Sequence, residues 1–400
     1  MIRRLHLVVI FALMAVAGCG GGDASAPQAA DARESAAAVT PVPAVTGPGE
    51  FKGVSFIARV AVGDITQAVQ APGSRAPAVV PRYSVDTYRV SYLTLDVAGR
   101  QILASGLVAL PVKPQGGKFP LVSYQHGTIF KDAEAPSNAI APAEPPLIIA
   151  SLGAIVIASD YVGYGASKGA PHPYLHSAAT ASAVLDLLTA VRSRLASFGL
   201  VENGQLFLVG YSEGGYATMA AHRTMQSAPS LHLAALVGTA PGAGPYNVQS
   251  VLDYQLDRVR DANPVLGALI TPGLLRHLGS TIRAEVRRQL VKALIPGDAD
   301  VAIDTRIIDL FLDDDRNGIE ALSNVHDWKP LAAVRMFHGR DDHTVPYLAS
   351  TETLAAMRAR AAPNVLLTDC RGVTPADHLQ CVKPYFQHII DQMAPVIRDL

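Results

Sequence analysis

The five residues Gly210-Tyr211-Ser212-Glu213-Gly214 constrain this chain more than any other stretch. An apolar run, Leu206-Phe207-Leu208-Val209, leads into them. A small-residue pattern, Gly215-Tyr216-Ala217-Thr218-Met219-Ala220-Ala221-His222, leads out. The first reads as a buried strand and the second as a close-packed helix. The sequence therefore predicts strand, tight turn and helix, with Ser212 at the apex. Glycines on both sides let the turn be sharp and let neighbouring backbone pass close by. A serine held this way is exposed, with a helix N-terminus beneath it.

A second copy of the pattern, Gly165-Ala166-Ser167-Lys168-Gly169, lacks that context. Asp160 to Tyr164 separate it from the strand-like run Ala154-Ile155-Val156-Ile157-Ala158, and Pro171 and Pro173 follow it. Proline there opposes the start of a helix, so Ser167 reads as a loop residue.

The chain has 400 residues, 33 of them basic and 34 acidic, which allows a large core and gives no footprint for nucleic acid. Its first residues read as a targeting segment. Arg3 and Arg4 precede an apolar stretch from Leu7 to Ala17, shorter than the ~20 residues a membrane span takes. Val16-Ala17-Gly18-Cys19 then resembles a bacterial lipoprotein cleavage box, with Cys19 as the lipidated residue; plain secretion is the alternative. The expected organisation is a signal peptide over 1–18, a flexible tether over 19–50 and a folded domain over 51–400. The tether is rich in Gly, Ala, Pro and Ser and lacks a core-forming pattern. Such a protein is exported and membrane-anchored, at the outer membrane or cell surface, or else secreted or periplasmic. The other two cysteines, Cys370 and Cys381, are 11 apart and read as a disulfide in an oxidising compartment. The loop they would close contains His378.

Two further stretches carry chemistry. Ala333-Val334-Arg335-Met336-Phe337 reads as a buried strand, followed by His338-Gly339-Arg340-Asp341-Asp342-His343-Thr344-Val345-Pro346. Phe119-Pro120-Leu121-Val122-Ser123-Tyr124 is another strand, followed by Gln125-His126-Gly127-Thr128. Together with Asp160-Tyr161-Val162-Gly163-Tyr164-Gly165 and the Ser212 turn, they make the chain from about Tyr88 to Ile389 resemble the α/β-hydrolase superfamily. Within it the resemblance is to bacterial relatives of the secretory lipases, the lipase A type of yeasts. This implies carboxylic ester hydrolysis, no cofactor and a cap over the site.

The resemblance carries Ser212, Asp342 and His378 as the catalytic triad, in the order nucleophile, acid, base. A serine hydroxyl needs a base to take its proton, and the base needs an orienting carboxylate. Asp341 is the competing acid. His378 lies 36 residues beyond Asp342, room for one helix and one strand. His343 is too near the acid, and His388 sits in the terminal helical pattern. An oxyanion hole takes backbone N–H donors from Glu213, the residue after the nucleophile, and from Thr128, with Gly127 as alternative. His126 reads as loop-shaping. Glu213 stands where glutamine is commoner.

Strand and helix patterns alternate along the chain. An early hairpin pairs Arg89–Asp96 with Ile102–Leu110. The run 154–158, a helix from Ala178 to Leu195, strand 206–210 and strand 234–238 follow. This predicts an α/β fold, a mostly parallel sheet with helices on both faces. The rhythm breaks over about 245–327. Helical periodicity there, in Val251–Leu256, Leu274–Leu294 and Val301–Leu312, predicts a helical cap insertion whose apolar residues line an acyl pocket. Asp313-Asp314-Asp315-Arg316-Asn317-Gly318 resembles the start of a calcium loop, but Asn324 stands where the bidentate Glu is required, so it reads as a polar turn and no metal is expected. The expected protein is a serine hydrolase of carboxylic esters acting on a small-molecule or lipid ester. A peptidase on the same fold and an inactive ligand-binding lipoprotein are the rival readings.

Overall fold

The computed structural model describes residues 42–114, 116–262, 273–295 and 297–400. The expected signal peptide, Cys19 and the tether up to residue 41 lie outside the described residues.

Among the described residues nine strands form one sheet: β1 (Phe51–Val60), β2 (Val85–Leu95), β3 (Gln101–Pro111), β4 (Lys118–Gln125), β5 (Ile155–Ser159), β6 (Val201–Tyr211), β7 (Leu236–Gly242), β8 (Ala333–His338) and β9 (Val365–Asp369). Their order is β1-β2-β3-β5-β4-β6-β7-β8-β9. The first three meander antiparallel, and from β5 through β9 all neighbours are parallel.

The central parallel strands β4, β5 and β6 are buried on both faces, which is why they read as unbroken apolar runs. In β6, Leu206 and Leu208 point into one core while Phe207, Val209 and Tyr211 point into the other. β5 splits likewise, Ile155 and Ile157 against Val156 and Ala158. Helices α1 (Val62–Gln70) and α2 (Pro145–Ser151) cover one face, and α3 (Ser177–Arg192) and α4 (Glu213–Ser227) the other. Leu187 and Leu188 of α3 are fully buried, each contributing about 1.5–3 kcal/mol.

Among the described residues between β7 and β8 lie four α-helices: α5 (Val248–Ala262), α6 (Ser280–Leu294), α7 (Arg306–Leu312) and α8 (Arg316–Leu322). The helical pattern expected from Val301 is realised only from Arg306. Residues 302–304 instead run beside the loop after β5: His172 N donates to Ala302 O, and Asp304 N donates to His172 O. Two helices complete the fold, α9 (Leu348–Ala359) before β9 and α10 (Val382–Met393) after it. Strand β1 and helix α1 have no clear counterpart in the sequence pattern. Ahead of β1, Gly49 N donates to Leu93 O and Leu93 N to Glu50 O.

The chain leaves β4 for β5 on one side and later returns to β6 on the other. The crevice at such a reversal, outside the carboxyl ends of the strands, is where α/β sheets receive ligands. The ends of β4 and β6 carry the 126–128 loop and Ser212.

Candidate active site

Ser212 has φ 61° and ψ −124°, a strained conformation for a residue with a Cβ. The turn closes because its neighbours have no side chains. A Cβ on Gly214 would lie 2.0 Å from Gln125 O, and one on Gly210 would lie 2.3 Å from Gly214 O. Ser212 N donates to Gly242 O, and the Tyr385 hydroxyl accepts from Gly210 N and donates to Ala240 O. Helix α4 starts at Glu213, so its first N–H groups have no partner inside the helix.

The structure brings Ser212, His378 and Asp342 together. His378 Nε2 is 2.8 Å from Ser212 Oγ, and His378 Nδ1 is 2.6 Å from Asp342 Oδ2. A carboxylate only accepts, so Nδ1 carries the proton and Nε2 faces the serine as acceptor. Asp342 Oδ1 accepts from the N–H groups of Thr344 and Val345, both at 2.9 Å. Burial opposes the charge on Asp342, but hydrogen bonds from His338 and His378 outweigh it and hold the carboxyl down at about 2.

Asp341 points elsewhere. Its Oδ2 accepts from Ala376 N and its own N donates to Ala376 O, tying the loop of Asp342 to the loop of His378. That second loop is closed by the Cys370–Cys381 disulfide, with Cα atoms 5.9 Å apart. The Tyr211 hydroxyl donates to His378 O at 2.8 Å, and its ring lies 5.2 Å from the imidazole.

On the other side of Ser212 lies the loop after β4. A Cβ on Gly127 would sit 3.7 Å from Ser212 Cβ. Gly127, Thr128, Ser212 and His378 line one cavity of about 1020 Å³. Its walls include Tyr124, Phe130 and Phe386 from the sheet domain, and Val248, Val251, Leu252, Leu290 and Ile307 from the helices between β7 and β8. Helix α5 holds the acid loop as well: the Tyr254 hydroxyl bonds His343 Nδ1, Arg258 donates to His343 O, and Gln255 donates to Thr344 O. The His126 ring lies tilted 31° to that of Tyr161 with centres 4.2 Å apart, and burial pushes its imidazole down. His388 packs on Phe337, with ring centres 5.1 Å apart.

Ser167 is buried in a short turn, where its Oγ accepts from Gly163 N and donates to Tyr164 O. Asp160 accepts from Ser105 and Ser137, and Gly165 leaves the room a Cβ would take beside it. In the 313–318 stretch, Asp313 pairs with Arg283, Asp314 accepts from Arg276 N and Asp315 caps α8. Among the described residues no group of His, Cys, Asp and Glu could hold a metal ion, and no helix is long and apolar enough to cross a membrane.

Sequence reasoning missed two histidines. His338 Nε2 donates to Val345 O at 2.9 Å and lies 3.3 Å from Asp342 Oδ2, while its Nδ1 meets Ser350 Oγ at 2.7 Å. His172 pairs with Glu213, Nε2 to Oε1 at 2.6 Å, and both side chains are about 1% exposed. The Glu213 side chain is therefore not a neutral stand-in for glutamine. A loop histidine beside Pro171 and Pro173 carries no signal that would have found it.

Residues 141–260 match the Secretory lipase family. Among curated proteins none matches. The rice cell wall degrading esterase LipA from Xanthomonas oryzae superposes with a TM-score of 0.68 at 22% identity, covering 87% of this chain and 99% of that one. Lipase A from Candida antarctica in its closed state superposes with a TM-score of 0.54 at 14% identity, covering 84% of this chain and 79% of that one. The chain has the α/β-hydrolase fold and resembles the secretory lipases over residues 141–260, which together support a carboxylic ester hydrolase.

Proposed function

We propose that the protein cleaves carboxylic esters through an acyl-enzyme on Ser212. The observation that carries this reading is the continuous hydrogen-bonded line from Ser212 Oγ through His378 to Asp342. As the serine oxygen attacks the ester carbonyl, His378 Nε2 takes its proton. The N–H groups of Glu213 and Thr128 receive the oxyanion, with Gly127 leaving space for the approach. His378 then protonates the departing alcohol, and water repeats the cycle on the acyl-enzyme. Asp342 keeps the proton on Nδ1 throughout.

The insertion over about 245–327 acts as a cap. Its Val248, Val251, Leu252, Leu290 and Ile307 give the cavity an apolar wall suited to an acyl chain. The substrate is an apolar or lipid ester. The Secretory lipase resemblance and the Arg3–Ala17 segment support export, and lipidation at Cys19 would keep the enzyme on a membrane.

An ester panel of graded acyl length, with Ser212→Ala as control, tests the reading. Turnover by the wild type, abolished in Ser212→Ala, is expected, together with covalent labelling of Ser212 by a fluorophosphonate. A protein that hydrolyses peptide amides faster than esters is a peptidase. One that neither turns over esters nor labels is a binding protein.

A further inference from the structure

The two residues expected to hold the oxyanion have neighbouring side chains. The Thr128 hydroxyl lies near the Tyr174 hydroxyl and near the Glu213 carboxylate, whose Oε2 is buried with no hydrogen-bond partner among the described residues. Behind Glu213 stands His172, with Nε2 2.6 Å from Oε1. The other nitrogen of His172, Nδ1, is 3.0 Å from Val162 O, and a carbonyl oxygen only accepts. Nδ1 therefore carries a proton, and a second proton must lie between Nε2 and the carboxylate. The backbone of His172 is held in turn by Ala302 and Asp304 of the cap segment.

We propose that Glu213 and His172 form a positioning pair that sets the spacing of the two oxyanion donors and ties that spacing to the cap. This inference rests on the acyl-transfer reading above. Glu213 acts through its own backbone N–H and through Thr128, and its side chain touches no reacting atom. Burial works against its charge, but attraction to the facing His172 and the hydrogen bond from it outweigh burial and hold the carboxyl below its ordinary value. The surrounding groups are His126, Tyr161, Tyr164, Tyr174 and Tyr216. Burial keeps that imidazole and those hydroxyls neutral, so none competes for the pair's proton.

Donors aimed at an oxyanion matter in the transition state and little in the ground state. Glu213→Ala should therefore lower kcat for a p-nitrophenyl ester by about 100-fold, with KM changed by less than about 3-fold. Glutamine can still donate to a neutral His172, so Glu213→Gln should recover about 10-fold of that loss. His172→Ala added to Glu213→Ala should cost nothing further, because the two act as a unit. Thr128→Val keeps the volume, removes only the hydroxyl and should lower kcat by about 10-fold. It serves where a change at Glu213 prevents folding. Equal kcat for Thr128→Val and wild type would overturn the proposal, as would parallel changes in KM and kcat across the series.

A readout independent of turnover separates this inference from the ester reading. In Ser212→Ala, nitrogen NMR of the histidine rings at neutral pH should show His172 protonated at both positions. In the Ser212→Ala, Glu213→Gln double variant it should show a single tautomer. If the wild type hydrolyses no ester and does not label, the acyl-transfer reading fails, and the NMR still judges the pair. A single tautomer of His172 in Ser212→Ala would overturn it.

Discussion

At the residue scale, two carboxylates, Asp342 buried and Asp186 half-buried, have opposite effects on stability. Asp342 titrates in the folded state at about 2, below its ordinary 3.8. Its contribution of about 2 kcal/mol is therefore complete above about pH 4 and is lost as pH falls toward 2. Chemical denaturation at stepped pH should show that loss in the wild type and a flatter curve in Asp342→Asn. The same variant should lower kcat by about 10⁴-fold, since the imidazole loses the partner that fixes its tautomer. Asp186 on α3 runs the other way. Burial pushes its carboxyl up to about 7, despite a hydrogen bond from Thr94. The folded protein keeps that proton while the unfolded chain gives it up, so stability falls as pH rises from about 4 to about 7. Asp186→Asn keeps an acceptor for Thr94 and should raise the thermal midpoint at about pH 8 while leaving it almost unchanged at about pH 4.

At the element scale, the loops after β8 and β9 behave as one unit. Asp341 bonds Ala376 through both its carboxylate and its N–H, and a Cβ on Gly339 would strike Ala376 O at 2.1 Å. The disulfide closes the His378 loop at its other end. Replacing both cysteines by serine should cost about 3 kcal/mol in a denaturant titration and lower kcat more than KM, because His378, the proposed base, sits in the loosened loop. Helix α5 is a separate lever. Leu252 faces the cavity from that helix, so Leu252→Trp should shift the preferred ester toward shorter acyl chains, read from kcat/KM across the graded panel. Unchanged preference would mean that the cap wall does not contact the acyl chain.

At the scale of the whole molecule, what the sequence made legible follows burial. The parallel strands β5 and β6 are recognisable because both faces meet a core and the apolar run is unbroken. Strand β1 is not. It lies at the sheet edge, its pairing with β2 is interrupted between Phe51 and Gly53 and between Phe56 and Ala58, and Val54 and Phe56 face solvent. No alternation survives there to be read. The candidate site divides the same way. Ser212, Asp342 and His378 sit in local patterns, each a loop after a recognisable strand. The pairing of His172 with Glu213 spans 41 residues and depends on how the loop after β5 meets 302–304, which no local pattern encodes.

The order of these parts along the chain also bears on biosynthesis. His378 is translated 166 residues after Ser212, and the second cysteine of its bridge comes later still. At about 5–20 residues per second, the nascent enzyme carries an unarmed serine for some ten seconds or more. The bond between Cys370 and Cys381 then closes the loop that carries His378. On the proposed acyl-transfer reading, Ser212 therefore waits for its base until nearly the whole chain has been made.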